Sequence, residues 1–163
     1  MSEFCAAALD FETTGSLPGY RSEPWQVGVV QIRAGRIEPD FFDSLIHVGD
    51  RPFNPHARGR HARLRAEIAA APTFAQLWPT LSTLLGGRIL VAHNVGTERS
   101  VLAAASPLHV FGPWIDTLQL ARAAWPGLAS HALEDVIDAL GLTQTVSDLC
   151  PGREPHDACY DAV

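Results

Sequence analysis

Two acids, Asp10 and Glu12, stand two residues apart at the end of an apolar stretch near the start of the chain. Residues 3–12 alternate as a strand does, with Cys5, Ala7, Leu9 and Phe11 on one side and Phe4, Ala6, Ala8, Asp10 and Glu12 on the other. Both carboxylates therefore project from one face. Two acids on one edge repel unless positive charge sits between them, which suits hard divalent cations held by oxygen ligands. A bare Asp-x-Glu is common. The run Asp10-Phe11-Glu12-Thr13-Thr14-Gly15, closing an apolar first strand, is far more specific. His47, His56, His61, His109 and His131 have no ligand-like spacing and are assigned no chemistry. Cys5, Cys150 and Cys159 are odd in number and lack Cys-x-x-Cys spacing. That argues against a disulfide framework or a structural zinc site and fits a reducing cytoplasm.

The acids need elements to hold them. Residues 25–33 read as a second strand, Ala34-Gly35 as a turn and 36–48 as a third strand, an antiparallel meander. Helical patterns cover 61–70 and 73–85, the second opened by the cap-like Thr73 after Pro72 and stopped by Gly86-Gly87. Residues 88–92 form a short apolar strand of the kind buried on both faces. A helix capped by Asn94 or Thr97 runs through about 104, a strand lies within 109–115, and Asp116 caps a helix over 117–124. Another helix fits 130–140, residues 145–155 are turn-rich, and a last helix begins near His156 or Asp157. Strands first as a meander, then alternating with helices, imply an α/β fold with a mixed sheet of about five strands and flanking helices.

The length of 163 residues, 47% apolar and 18% charged, suits one compact domain covering 1–163 and excludes a disordered chain. Apolar runs are too short for a membrane span, and the start lacks a basic-then-apolar signal segment. All twelve basic residues are Arg and the net charge is −6, which disfavours binding through a broad basic face. A short strand end in a metal-filled cleft stays compatible, because bound cations would offset much of the acidity. From Asp50 to Arg65 the chain turns basic, with Arg51, Arg58, Arg60, Arg63 and Arg65. This is either a solvated loop entering a helix or a phosphate-contacting arm.

Asp10–Gly15 resembles the first motif of the DEDDh exonucleases, the group that includes proofreading subunits of bacterial replicative DNA polymerases. The resemblance continues in order. Ala71-Pro72-Thr73-Phe74 is similar to the family's APTF segment, and Val91-Ala92-His93-Asn94 to the start of its second motif. Ile115-Asp116-Thr117-Leu118 with Ala121-Arg122 resembles its DTL…AR helix, and Ser130-His131-Ala132-Leu133 the helix after that. His156–Ala162 resembles the third motif, HxAxxDA. The resemblance implies an RNase H-like fold and metal-dependent, stepwise 3′→5′ removal of nucleotides from DNA or RNA 3′ ends. It makes Asp10, Glu12 and Asp161 ligands of two Mg²⁺ or Mn²⁺ ions and His156 the general base. Thr13, Thr14, Gly15 and Leu17, with His93 and Asn94, become candidate contacts for the substrate. Phe11 points away from Asp10, so core packing suits it better.

The chief departure is Glu98, which stands where the family usually has Asp. Glu keeps the charge and adds one methylene, so it reads as a fourth metal ligand and catalytic acid; the alternative is an acid that only complements a helix N-terminus. Asp116, just before a helix, reads as a cap, not a ligand. His156 and Asp161 are five apart, about 140° around a regular helix, so His156 is expected to precede the helix on a more mobile segment. The chain stops two residues after Asp161, so the last helix looks cut short and Asp161 weakly fixed. A stand-alone enzyme or excised domain follows more readily than a polymerase-bound subunit, and a homodimer is compatible because several relatives dimerise. The competing function is a catalytically weak or inactive nuclease fold kept as a nucleic-acid-binding or interaction module.

Overall fold

The computed structural model describes residues 4–57 and 59–163, so Arg58 and the first three residues lie outside the described part. β1 (Cys5–Thr13) runs antiparallel to β2 (Pro24–Arg33) from Cys5↔Arg33 to Glu12↔Gln26, and the register slips at Thr13. The expected third strand is two strands, β3 (Arg36–Ile37) and β4 (Phe42–Leu45), both antiparallel to β2. The break falls at Pro39, which has no N–H to give to a ladder. β5 (Ile89–Ala92) then pairs parallel with β1, and β6 (Trp114–Asp116) parallel with β5. Among the described residues the mixed sheet has six strands in the order β3-β2-β1-β5-β6, with β4 beside β2. No described helix is long and apolar enough to cross a membrane.

The helices divide between the two faces as the alternation in β1 requires. Ala7, Leu9 and Phe11 pack with Val27 and Val29 of β2 against Leu81 and Leu85 of α2 (Phe74–Leu85) and Leu102 of α3 (Gly96–Ala105). α2 opens with a capping box: the Thr73 hydroxyl accepts the Gln76 N–H at 3.3 Å, and the Gln76 side chain accepts the Thr73 N–H at 2.8 Å. α1 (Arg65–Ala70) starts later than expected, because turns occupy 61–63. His61 there is 8% exposed and stacks on Phe53 at 4.9 Å. The strand expected within 109–115 is shorter, and Leu108 and Val110 lie in an exposed loop. α4 (Thr117–Ala124) is capped by Asp116, whose Oδ1 accepts the Leu118 N–H at 3.0 Å. α5 (Leu133–Ala139) is shorter than expected, and α6 (Thr143–Leu149) occupies part of the stretch read as turns.

α7 (Ala158–Ala162) covers the opposite face of β1 and β2, the face of Asp10 and Glu12. A five-residue helix cannot stand alone, yet Ala158, Cys159, Tyr160 and Ala162 are all buried. Gly28 makes that possible. A Cβ on Gly28 would collide with the Ala158 carbonyl and the Cys159 N–H, so only glycine lets the helix sit this close to β2. Gly28→Ala is expected to destabilise the protein by about 2–3 kcal/mol through overpacking against backbone. An unchanged urea midpoint would mean that α7 does not rest on this strand in solution.

Candidate active site

The end of β1, the first turn of α3 and the N-terminus of α7 converge on one spot. Among the described residues, Glu12, His156 and Asp161 can each offer a ligand atom within 4.8 Å of the others. Asp10 lines the same cleft of about 520 Å³, together with His93, Asn94, Arg122, His156 and Asp161. Glu98 enters from α3, where it is 3% exposed.

The electrostatics follow from crowding acids in a poorly solvated place. Burial, then the neighbouring Glu98 and Asp157, pushes the Asp10 carboxyl up to about 7. Burial, then the charge of Asp10, pushes Asp161 to about 7 even though the His156 N–H bonds to it at 3.2 Å. Glu98 is also raised to about 7, first by burial; N–H groups of Glu98 itself and of Phe11 pull it back in part, and Asp116 adds repulsion. Its Oε2 is buried without a hydrogen-bond partner. Clustered carboxylates at this cost, one oxygen left unpartnered and a donor set of oxygens plus one histidine fit hard divalent cations.

That fit has a measurable consequence. Raised carboxyl values contribute stability that is fully present below pH 4 and is lost as pH rises to about 7. Metal-free protein should therefore melt lower at pH 8 than at pH 5.5. Asp157 shifts the opposite way, but its window lies below its ordinary value of 3.8. Mn²⁺ at a hundred times its Kd should add about 2.7 kcal/mol, or about 5–10 °C for a chain of this length. The gain should shrink at pH 5.5, where protons compete. A melting temperature indifferent to Mn²⁺ and EDTA at pH 8 would remove the cation site.

His156 precedes α7, as its spacing from Asp161 requires, and sits at φ +66°. Its Nε2 lies 3.1 Å from Glu134 Oε1 and its Nδ1 lies 3.9 Å from Asp161 Oδ2. Asp161 does not hang on a fraying end. The fully buried Asp157 accepts the Cys159 N–H at 3.2 Å and the Tyr160 N–H at 3.4 Å, capping α7. The same carboxylate binds Gln26 at 3.1 Å, Arg153 at 2.7 Å and Arg60. Burial alone would raise it, but Arg153, Gln26 and the Tyr160 N–H outweigh burial and hold it below the usual carboxylate range.

Arg60 belongs to the basic segment, in which the described Arg51 and Arg65 are also turned onto the protein. Arg51 pairs with Glu23 at 2.6 Å, and Arg65 lies 3.9 Å over the Phe53 ring. Gly59 passes so close that a Cβ there would come 3.1 Å from Glu12 Oε2 and from the His156 carbonyl. Gly59 therefore walls the site.

The expected substrate contacts separate into two sets. Thr13, Gly15 and Asn94 line a groove of about 970 Å³ that continues along Thr97 and Val101 of α3. Asn94 lines the acid cleft as well, so the two spaces adjoin. Thr14 is 1% exposed, and its hydroxyl accepts the Glu23 N–H at 3.1 Å, which fixes the loop. Leu17 lines neither space and bridges to Tyr20. His93 faces the cleft, but both ring nitrogens are engaged, with Thr117 Oγ1 at 3.1 Å and the His131 carbonyl at 2.9 Å. Neither Asn94 nor Thr97 caps α3; Val95 occupies that place, and the Asn94 N–H, at φ +68°, goes to Asp116 at 3.0 Å. Sequence reasoning missed Gly28, Glu134 and Asp157 as parts of the site. Only Asp157 carried a local signal, an acid just before a short helix.

Comparison with known proteins gives a consistent result. The sequence profile of the RNase T family, described as exonuclease, matches residues 7–163. Exodeoxyribonuclease 10 of Escherichia coli (strain K12) is 31% identical over 140 residues, covering 83% of this chain and 58% of that protein, so the chain spans under two thirds of the relative. Escherichia coli exonuclease I, solved with a 5cy-dT13 oligonucleotide, superposes with a TM-score of 0.71 at 16% identity, over 99% of this chain and 38% of the other. The nuclease domain of 3′hExo, a DEDDh family member bound to rAMP, gives 0.67 at 18% identity, over 98% and 86%. The fold is the RNase H-like fold of these exonucleases.

Proposed function

We propose, since this chain belongs to the RNase T exonuclease family, that it hydrolyses phosphodiester bonds stepwise from the 3′ end of a nucleic-acid strand in the cleft between β1 and α7. The observation that carries the reading is the gathering of Glu12, His156 and Asp161 within 4.8 Å, beside the buried Asp10 and Glu98. Asp10, Glu12, Glu98 and Asp161 would hold two Mg²⁺ or Mn²⁺ ions, which when bound supply charge stabilisation at the phosphate and a more acidic attacking water. His156 takes a proton from the attacking water as the water oxygen bonds to phosphorus, and the bond to the leaving 3′ oxygen breaks as that oxygen takes a proton from solvent. A nucleoside 5′-monophosphate leaves, and the strand carries a new 3′ hydroxyl. Thr13, Gly15 and Asn94 line the groove through which the strand reaches the cleft. Single-stranded DNA is the first substrate to test, because the 31% identical relative is an exodeoxyribonuclease. The free thiols of Cys5, Cys150 and Cys159 accord with a cytoplasmic setting.

The test is a 5′-labelled oligonucleotide with a 3′ overhang, incubated in Mg²⁺, in Mn²⁺ and in EDTA, with an RNA of the same sequence in parallel. The expected result is a ladder that shortens from the 3′ end and vanishes in EDTA. Folded protein that leaves the strand full-length in both metals overturns the proposal and favours a binding module.

A further inference from the structure

We infer that Glu134, in the first turn of α5, is the positioning residue of the general base: it fixes the orientation and tautomer of His156. The inference rests on the proposed exonuclease reading. Glu134 Oε1 lies 3.1 Å from His156 Nε2, close enough for the carboxylate, which can only accept, to take an Nε2–H from the ring. A neutral imidazole with its proton on Nε2 has its free lone pair on Nδ1. Nδ1 is the nitrogen that faces the acid cluster, 3.9 Å from Asp161 Oδ2. The proton accepted during attack is thus taken at Nδ1, while Nε2 stays bonded to Glu134. An acid that orients the base and selects its tautomer is the logic of the third member of a hydrolase triad.

Glu134 can do this because it is itself held. The chain before α5 is braced twice: His93, which follows β5, binds the His131 carbonyl at 2.9 Å, and the His131 ring binds the Trp125 carbonyl at 3.0 Å. Val136, one turn into α5, is buried. On the other side, the His156 backbone is fixed at φ +66°, with its N–H on Asp161 Oδ2 at 3.2 Å. Backbone and ring are therefore anchored by different acids, Asp161 and Glu134. This also gives His93 a role: it aims α5 at the base from across the cleft.

The experiment compares wild type, E134A, E134Q, H156A and E134A/H156A by steady-state kinetics on the 5′-labelled oligonucleotide. In parallel, ¹⁵N-detected imidazole spectra of the metal-free wild type, E134A and E134Q at pH 8 report the tautomer, with H156A assigning the resonance. E134A should lower kcat about ten- to a hundredfold, a share of the roughly 10²- to 10⁴-fold that a general base supplies, with KM within twofold. E134Q keeps an acceptor for Nε2–H and should recover most of the loss. In the H156A background the Glu134 change should cost nothing more. Spectra should show His156 protonated on Nε2 in wild type and E134Q, and a mixture of tautomers in E134A. A kcat in E134A equal to or above wild type, a multiplicative loss in the double variant, or an unchanged tautomer each overturns the inference. If wild type does not cut at all, the exonuclease reading fails on that result, while the spectra still decide whether Glu134 sets the tautomer.

Discussion

Asp10→Asn should lower exonuclease activity about a thousandfold or more and, in the same protein, raise the melting temperature of the metal-free form at pH 8. The two effects have one origin. Asp10 is pushed to about 7, first by burial and then by Glu98 and Asp157, so at pH 8 its charge is held against an unfavourable environment. The near-isosteric amide removes that charge and relieves Asp161, whose own elevation owes part to Asp10. The loss of rate, about 4 kcal/mol at 1.36 kcal/mol per factor of ten, follows from the proposed role of Asp10 in holding the cations that would offset charge developing at the phosphate. Opposite signs for stability and activity mark a group retained for chemistry at the expense of the fold. The Mn²⁺-dependent rise in melting temperature should shrink in the variant as well. Thermal melts in EDTA and in Mn²⁺, beside the oligonucleotide assay, check this. Activity within tenfold of wild type, or a less stable metal-free variant at pH 8, would show that Asp10 is an ordinary structural acid.

The sequence made much of this site readable, and where it did not the reasons are physical. Period-two alternation in β1 put Asp10 and Glu12 on the face opposite Leu9 and Phe11, and the core cluster of Leu9 and Phe11 with α2 and α3 agrees. Local chemistry also foretold the Thr73 and Asp116 caps. Convergence of the ends of the chain was legible only through the family resemblance, since nothing in the spacing of residues 10 and 161 says that they meet. α6 escaped because it lacks a start signal: Leu142 precedes it with no side-chain cap, and the β-branched Thr143 and Thr145 are weak helix formers. It is held instead by packing of Val146 and Cys150 on Tyr160 of α7. For Glu98 the sequence left two meanings open, ligand or helix-dipole acid. An acid that only complements a dipole can stay in water, whereas Glu98 is 3% exposed and close enough to raise Asp10. On those two grounds the ligand meaning is the one we propose.

Asp157 gives the largest expected loss of stability. Gln26 lies 131 residues from it in sequence and Arg60 lies 97 away, so its partners come from three separate parts of the chain. Asp157→Ala strips α7 of its cap, worth about 1 kcal/mol, and leaves guanidiniums facing a site built for their counter-charge. Breaking a buried pair from one side costs about 3–5 kcal/mol. Here the side chains of Arg60 and Arg153 keep about 30% exposure, and Arg153 retains Asp43 at 2.8 Å, which places the expected total toward the lower end. Asp157→Asn separates the two contributions, since Asn caps as well as Asp but carries no charge. It should fall between wild type and Ala in urea midpoint. Activity at a temperature where both variants are folded should follow the same order, because α7 carries Asp161 and follows directly on His156. Equal stability of Asn and wild type would mean that the arginines contribute nothing and that the cap alone holds α7 in place.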